Sequence, residues 1–190
     1  MLFTQAGCAT PREAPPADSM RAQAPAAAPS TISSASTPAV ATPMTVTEHG
    51  LGALRAGMTV GEANAVLNGA LSVVASRDSM GCNYATWKGA PEGVSIMTDG
   101  GRIARVEVRS GTMQTSDGAR IGDTEERIKA LYAGRIMVQP SKYSSGHYLV
   151  VTPTVPADSA FRIVFETEKN VVTKYRAGTR PQVEYVEGCG

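Results

Sequence analysis

Acid–base or nucleophilic chemistry in this chain would have to start from two histidines and a set of scattered carboxylates. His147, in Lys142-Tyr-Ser-Ser-Gly-His-Tyr148, stands beside Ser144 and Ser145, the residue types of a hydroxyl nucleophile and its base. Residues adjacent on a turn or strand seldom present their groups to each other, and no third residue is marked to orient the imidazole. His49 falls at the end of a polar stretch and reads as solvated. Glu107, Glu166, Glu184 and Glu187 supply carboxylates, but spacing alone does not bring two of them together. No glycine-rich loop follows a strand and opens a helix, since Asp99-Gly100-Gly101 lies between two strand patterns. Neither Cys82 nor Cys189 has a second Cys or His at metal-ligand spacing. The expectation is therefore no catalytic residues, no metal and no cofactor, with hydrolysis through His147 as the least favoured alternative.

Binding is the stronger expectation. Trp87 and Lys88 in one half of the chain, and Tyr143, His147 and Tyr148 in the other, form a candidate interaction surface, because Tyr and Trp supply large, partly polar contact area. The plainer alternative puts Trp87 in the core and Tyr148 beneath a loop. Net charge is +1, from 18 Lys and Arg against 17 Asp and Glu, with the basic residues dispersed. The spacing of Arg102, Arg105 and Arg109 divides them between two strand faces, so the concentrated positive field that nucleic acid requires is missing. Cys82 and Cys189 make an even pair: a disulfide in an exported domain, or two free thiols in a reducing compartment.

The elements that would position these residues come from an internal repeat. Residues 55–76 and 120–141 align without a gap, matching at Arg55/Arg120, Gly57/Gly122, Thr59/Thr124, Ala65/Ala130, Gly69/Gly134, Val73/Val138 and Ser76/Ser141. Thr59 and Glu62 have the spacing of a capping box, and Val60, Ala63 and Leu67 fall on one helical face. In the second copy Thr124 caps and Ile128, Leu131 and Tyr132 turn inward, but Arg127 replaces the reciprocal glutamate. Strand patterns follow at 70–76, 82–88, 93–98 and 102–109, and again at about 135–139, 146–152, 161–166 and 171–177, with a last short strand around Val183 and Tyr185. Arg176, Arg180 and Glu184 read as a solvated ion cluster at a strand end. The predicted fold class is α+β: two tandem helix-plus-antiparallel-strand units, repeat 1 about 54–113 and repeat 2 about 119–190, joined into a sheet covered by two short helices on one face.

The first quarter of the chain cannot contribute a core. Residues 9–48 are mostly Ala, Pro, Ser and Thr, too poor in large apolar groups to offset the entropy of ordering, and read as a disordered linker before a globular domain at 49–190. Ahead of it, Ala6-Gly7-Cys8 resembles the cleavage box of bacterial lipoproteins, so residues 1–8 read as a truncated signal remnant with Cys8 as the lipidation site. The implied location is the bacterial cell envelope, on an outer-membrane lipoprotein facing the periplasm. No run of about 18 apolar residues suggests a spanning helix.

Gly57-Met58-Thr59, the short helix behind it and Gly69 resemble the helix start of outer-membrane lipoproteins of the SmpA/OmlA (BamE) type. The tandem arrangement is similar to the β-lactamase inhibitor protein fold. These resemblances imply a noncatalytic module that binds an envelope protein or assists assembly; an inhibitor-like or carbohydrate- and cell-wall-binding module is the alternative.

Overall fold

The computed structural model describes residues 44–73 and 81–189. Three two-residue strands come first, β1 (Val46–Thr47), β2 (Gly50–Leu51) and β3 (Leu54–Arg55). Helix α1 (Val60–Val66) leads to β4 (Leu71–Val73), β5 (Cys82–Trp87), β6 (Val94–Asp99) and β7 (Arg102–Val108). Helix α2 (Glu125–Leu131) leads to β8 (Ile136–Pro140), β9 (His147–Val151), β10 (Phe161–Glu168) and β11 (Val171–Thr179). Among the described residues β1–β3 form one small sheet, and the other eight strands form an antiparallel sheet of order β4-β5-β6-β7-β11-β10-β9-β8. The junction at its centre pairs β7 with β11, from Tyr175 opposite Val108 to Gly178 opposite Arg105.

Local chemistry explains the joints. Gly100 and Gly101 take φ of 54° and 76° in the turn between β6 and β7, the left-handed conformation such a hairpin needs. Thr59 caps α1 with both halves of the capping box formed, Glu62 N–H to Thr59 Oγ1 at 3.2 Å and Thr59 N–H to Glu62 Oε2 at 2.8 Å. Thr124 caps α2 through the Arg127 N–H alone. The N-terminus of α2 is also fastened to the β10–β11 turn, where Asn170 O accepts the Glu125 N–H at 3.0 Å.

The expected α+β class is overturned. Strand accounts for 43% of the described residues and helix for 14%, so the fold is mainly β. Each of the two α-helices has seven residues, about 10 Å of length against an eight-strand sheet roughly 34 Å wide. A capping signal marks where a helix begins and says nothing of how far it runs. The three-stranded sheet, absent from the sequence reading, shares in covering the core: Val46, Leu51 and Leu54 are buried, and Val46 lies inside the stretch assigned to the linker. The remainder of that linker up to residue 43, and the tail of the strand predicted at 70–76, lie outside the described residues.

Alternation divides the large sheet into two unlike faces. Ile96, Val106, Val108, Leu149, Ile163, Phe165, Tyr175 and Ala177 turn to one side, where they pack with Ala63 of α1, with Ile128 of α2 and with Tyr132 just beyond it. Tyr148, Val150 and Val164 turn to the other, against Val183 and Val186. The expected last strand is instead a 3₁₀ turn, Gln182–Glu184, because Pro181 before it takes helical angles (φ −81°, ψ −11°).

Candidate functional site

The second face of the sheet is an ionic surface under a strap. Along β7, Arg105 and Glu107 alternate with core valines, Arg109 follows just past its end, and Arg176 of β11 sits opposite Glu107. Arg105, Glu107, Glu166 and Arg176 are all buried. Arg105 Nε donates to Glu107 Oε1 at 2.8 Å, Arg109 Nε to Glu107 Oε2 at 2.8 Å, and the Tyr84 hydroxyl to Oε1 at 2.7 Å. Arg176 pairs with Glu166, which Lys174 also reaches at 2.9 Å. Burial alone would raise the Glu107 pKa, but the Arg105 charge and the bonds from Tyr84, Arg109 and Arg105 outweigh it and hold the carboxyl below its ordinary value. Tyr84 moves the other way, raised by burial and by donating to that carboxylate.

Residues 181–189 lie across these charges. Arg105 Nη1 donates to Gln182 O at 2.7 Å and Tyr185 O at 2.6 Å, Arg176 Nε to Val183 O at 2.5 Å, and Gln182 Nε2 to Asp99 at 2.7 Å. Gly178 lies opposite Arg105, where an added Cβ would stand 2.2 Å from Ala104 O and 2.6 Å from the Arg105 Cα, so its missing side chain permits the close approach of β11 to β7. A disulfide joins Cys82 on β5 to Cys189, with Cα atoms 5.4 Å apart. Two open clefts flank the strap. One of about 290 Å³ is lined by Tyr143, Tyr148, Ser144 and Glu187, and one of about 260 Å³ by Lys142, Tyr185 and Gly188. Tyr143 is 60% and Tyr185 41% exposed, and the Tyr143 hydroxyl bonds to Glu187.

On the helical side a second polar group is buried. Glu125, 2% exposed, accepts from the Thr167 hydroxyl at 2.6 Å, His147 Nδ1 at 2.7 Å and Lys129 Nζ at 3.0 Å. Gly146 permits the close approach, since a Cβ there would lie 1.7 Å from Thr167 O. Burial by itself would raise the Glu125 pKa, yet the three bonds together bring it down from 4.5 to about 2. A folded-state value below the unfolded one means a contribution fully present above about pH 4.5 and lost as pH falls toward 2. Urea midpoints measured from pH 5 down to about 2.5 should therefore fall less steeply in Glu125→Gln than in the native chain. Glu107 supplies part of the slope that remains.

The candidate surface residues are divided by this geometry. Trp87 is half-buried and packs on the helical-side core, and Lys88 is exposed beside it. His147 faces the same side from β9, five strand positions away, roughly 24 Å. Tyr148 is buried on the strap side and Tyr143 stands at the cleft there. Ser144 Oγ accepts from the Gly146 N–H at 3.2 Å, and among the described residues no hydrogen bond joins Ser144 or Ser145 to His147. His49 is not free in solvent: it meets Asp158 at 3.3 Å and the Phe161 ring at 4.5 Å. Arg176, read as a surface charge, is buried, while Arg180 and Glu184 do pair, at 2.8 Å. Cys8 lies outside the described residues. Sequence reasoning missed Arg105, Glu107, Glu166 and Arg176 as a set; the available signal was charge at alternate positions of β7, β10 and β11 with a valine or aromatic between.

Among the described residues there is no group of three His, Cys, Asp or Glu placed to hold a metal, and no helix long and apolar enough to cross a membrane. No protein-family model matches the chain, and no curated protein matches it. A crystal structure of the uncharacterized protein yfeY from Escherichia coli aligns with 70% of this chain and 99% of its own, at 16% identity and a TM-score of 0.44.

Proposed function

We propose that this chain is a noncatalytic binding module of the bacterial cell envelope, anchored by lipid on Cys8 and gripping an envelope protein beside the strap. The Cys82–Cys189 disulfide carries the reading, since such a bond persists where the compartment is oxidising and is rare in a reduced cytosol. The clefts add to it: exposed tyrosines at the rim of a covalently closed segment are the kind of anchor that dominates binding energy.

Two measurements in the cells that make the protein test this. Radiolabelled palmitate should enter the chain and be lost in Cys8→Ala, with the protein in the membrane fraction. A photo-crosslinker in place of Tyr143 should capture one discrete envelope protein, and far less of it when Tyr185 is changed to alanine. An unlabelled chain removes the anchor, and the absence of any crosslinked protein removes the partner. Retention on isolated peptidoglycan that Tyr143→Ala abolishes would replace the protein partner by a glycan.

A further inference from the structure

We infer that the outer edge of β8 pairs with the same edge of a second copy, joining two eight-stranded sheets about a two-fold axis. The inference is independent of the strap and of its proposed partner. In the sheet order β8 is terminal, and among the described residues no strand pairs with its outer side. An open edge is a row of unpaired N–H and C=O groups, which proteins blunt with charge, proline, brevity, a bulge or a cover. Here Ile136-Met-Val-Gln-Pro140 has no charge and no register shift against β9, while Met137 is 52% and Val138 44% exposed. The opposite edge, β4, has three described residues.

The ladder shows which groups are free. Ser141 N–H donates to Gly146 O at 2.9 Å and Thr152 N–H to Arg135 O at 2.9 Å. In an antiparallel pair bonded and non-bonded residues alternate. With Ile136 opposite Val151 and Pro140 opposite His147, residues 135, 137, 139 and 141 turn their backbone groups to β9, and Ile136, Val138 and Pro140 turn theirs outward. Pro140 thus withholds a donor on the open side, which is where a strand tolerates proline.

These groups are self-complementary in one register. With Met137 opposite Met137 of the second copy, Ile136 lies opposite Val138 in both directions, and each pair exchanges two N–H to C=O bonds. Four bonds use every outward group of Ile136 and Val138 and call on none from Pro140. Centring on Val138 instead would set Ile136 against Pro140 and leave the Ile136 carbonyl without a donor. In the favoured register Arg135 faces Gln139, so no like charges meet, and the two Met137 side chains lie side by side on the strap face. A closed two-fold contact of this kind ends at the dimer. Its short edge lies below the size of a standard stable interface, so association belongs at high protein concentration.

The test is sedimentation equilibrium on the full chain carrying Cys8→Ser, which prevents a disulfide between copies, from roughly 10 μM to 1 mM, where small interfaces associate. The mass should climb from 19.8 kDa toward twice that value. Met137→Lys, placing like charges opposite, and Val138→Pro, removing only an outward N–H, should each weaken association at least tenfold with an unchanged circular dichroism spectrum. Amide exchange on the unsubstituted strand gives a measurement that needs neither variant: Ile136 and Val138 should gain protection as concentration rises, while Met137, already bonded to β9, should not. A mass fixed at the monomer, or Ile136 and Val138 amides that exchange alike at both concentrations, overturns the inference, as does association undiminished in both variants.

Discussion

Replacing Cys189 by serine should cost the folded domain about 4 kcal/mol and lower its melting temperature by roughly 10 °C. The bond spans 107 residues of sequence, and closing a loop near that length removes up to about 4.7 kcal/mol of unfolded-state entropy in the chain-entropy model, with measured losses commonly 2–4. The expected value sits near the top of that range because the closed loop is long. Besides the bond, the strap is held by buried Val183, by Val186 packed beside it, by backbone carbonyls offered to Arg105 and Arg176, and by Gln182 to Asp99 and Glu187 to Tyr143 and Lys142. The Tyr185 amide, which donates to Gln182 O, should lose exchange protection first. Coincident thermal melts for the oxidised and reduced chains would show that the strap is held without the bond.

Removing the carboxylate at the centre of the ionic face should be as damaging. Glu107→Leu leaves Arg105, whose side chain is 2% exposed, charged and without its acid, and takes away the acceptor of the Tyr84 hydroxyl. Breaking one side of a buried pair typically costs about 3–5 kcal/mol, because the partner's desolvation is no longer offset. Changing Arg105→Met together with Glu107→Leu should recover part of that loss, since paired replacement by apolar groups is often close to neutral. Recovery should stay incomplete, as Gln182 O and Tyr185 O lose their shared donor. Urea denaturation of the two single variants and the double supplies the coupling energy. A Glu107→Leu chain as stable as the parent would mean that Arg105 is satisfied by the strap carbonyls alone.

The strands and caps were legible in the sequence because their signals are local. Asp99-Gly100-Gly101 marked its hairpin, Thr59 and Thr124 marked helix starts, and Val106 and Val108 marked an inward row. Fold class was misjudged because two clear helix starts were weighed equally with eight strands, whereas two-turn helices contribute little mass. The β1–β3 sheet escaped because its strands are two residues each, shorter than any period. Pro181 was the overlooked warning against a final strand. Which side each aromatic took depended on register, where one residue separates His147 beneath α2 from Tyr148 beneath the strap. The ionic set was visible only as alternation, and its assembly required the non-local pairing of β7 with β11.

The strap also bears on colloidal behaviour. A lid seated on valines and leucines would uncover a sticky patch each time it lifted, and such patches seed precipitation. Lifting this one uncovers guanidinium and carboxylate groups that water hydrates readily, together with the small apolar row of Tyr148, Val150 and Val164, so brief undocking exposes a mixed patch whose hazard adds to that of the sheet margin at Met137 and Val138.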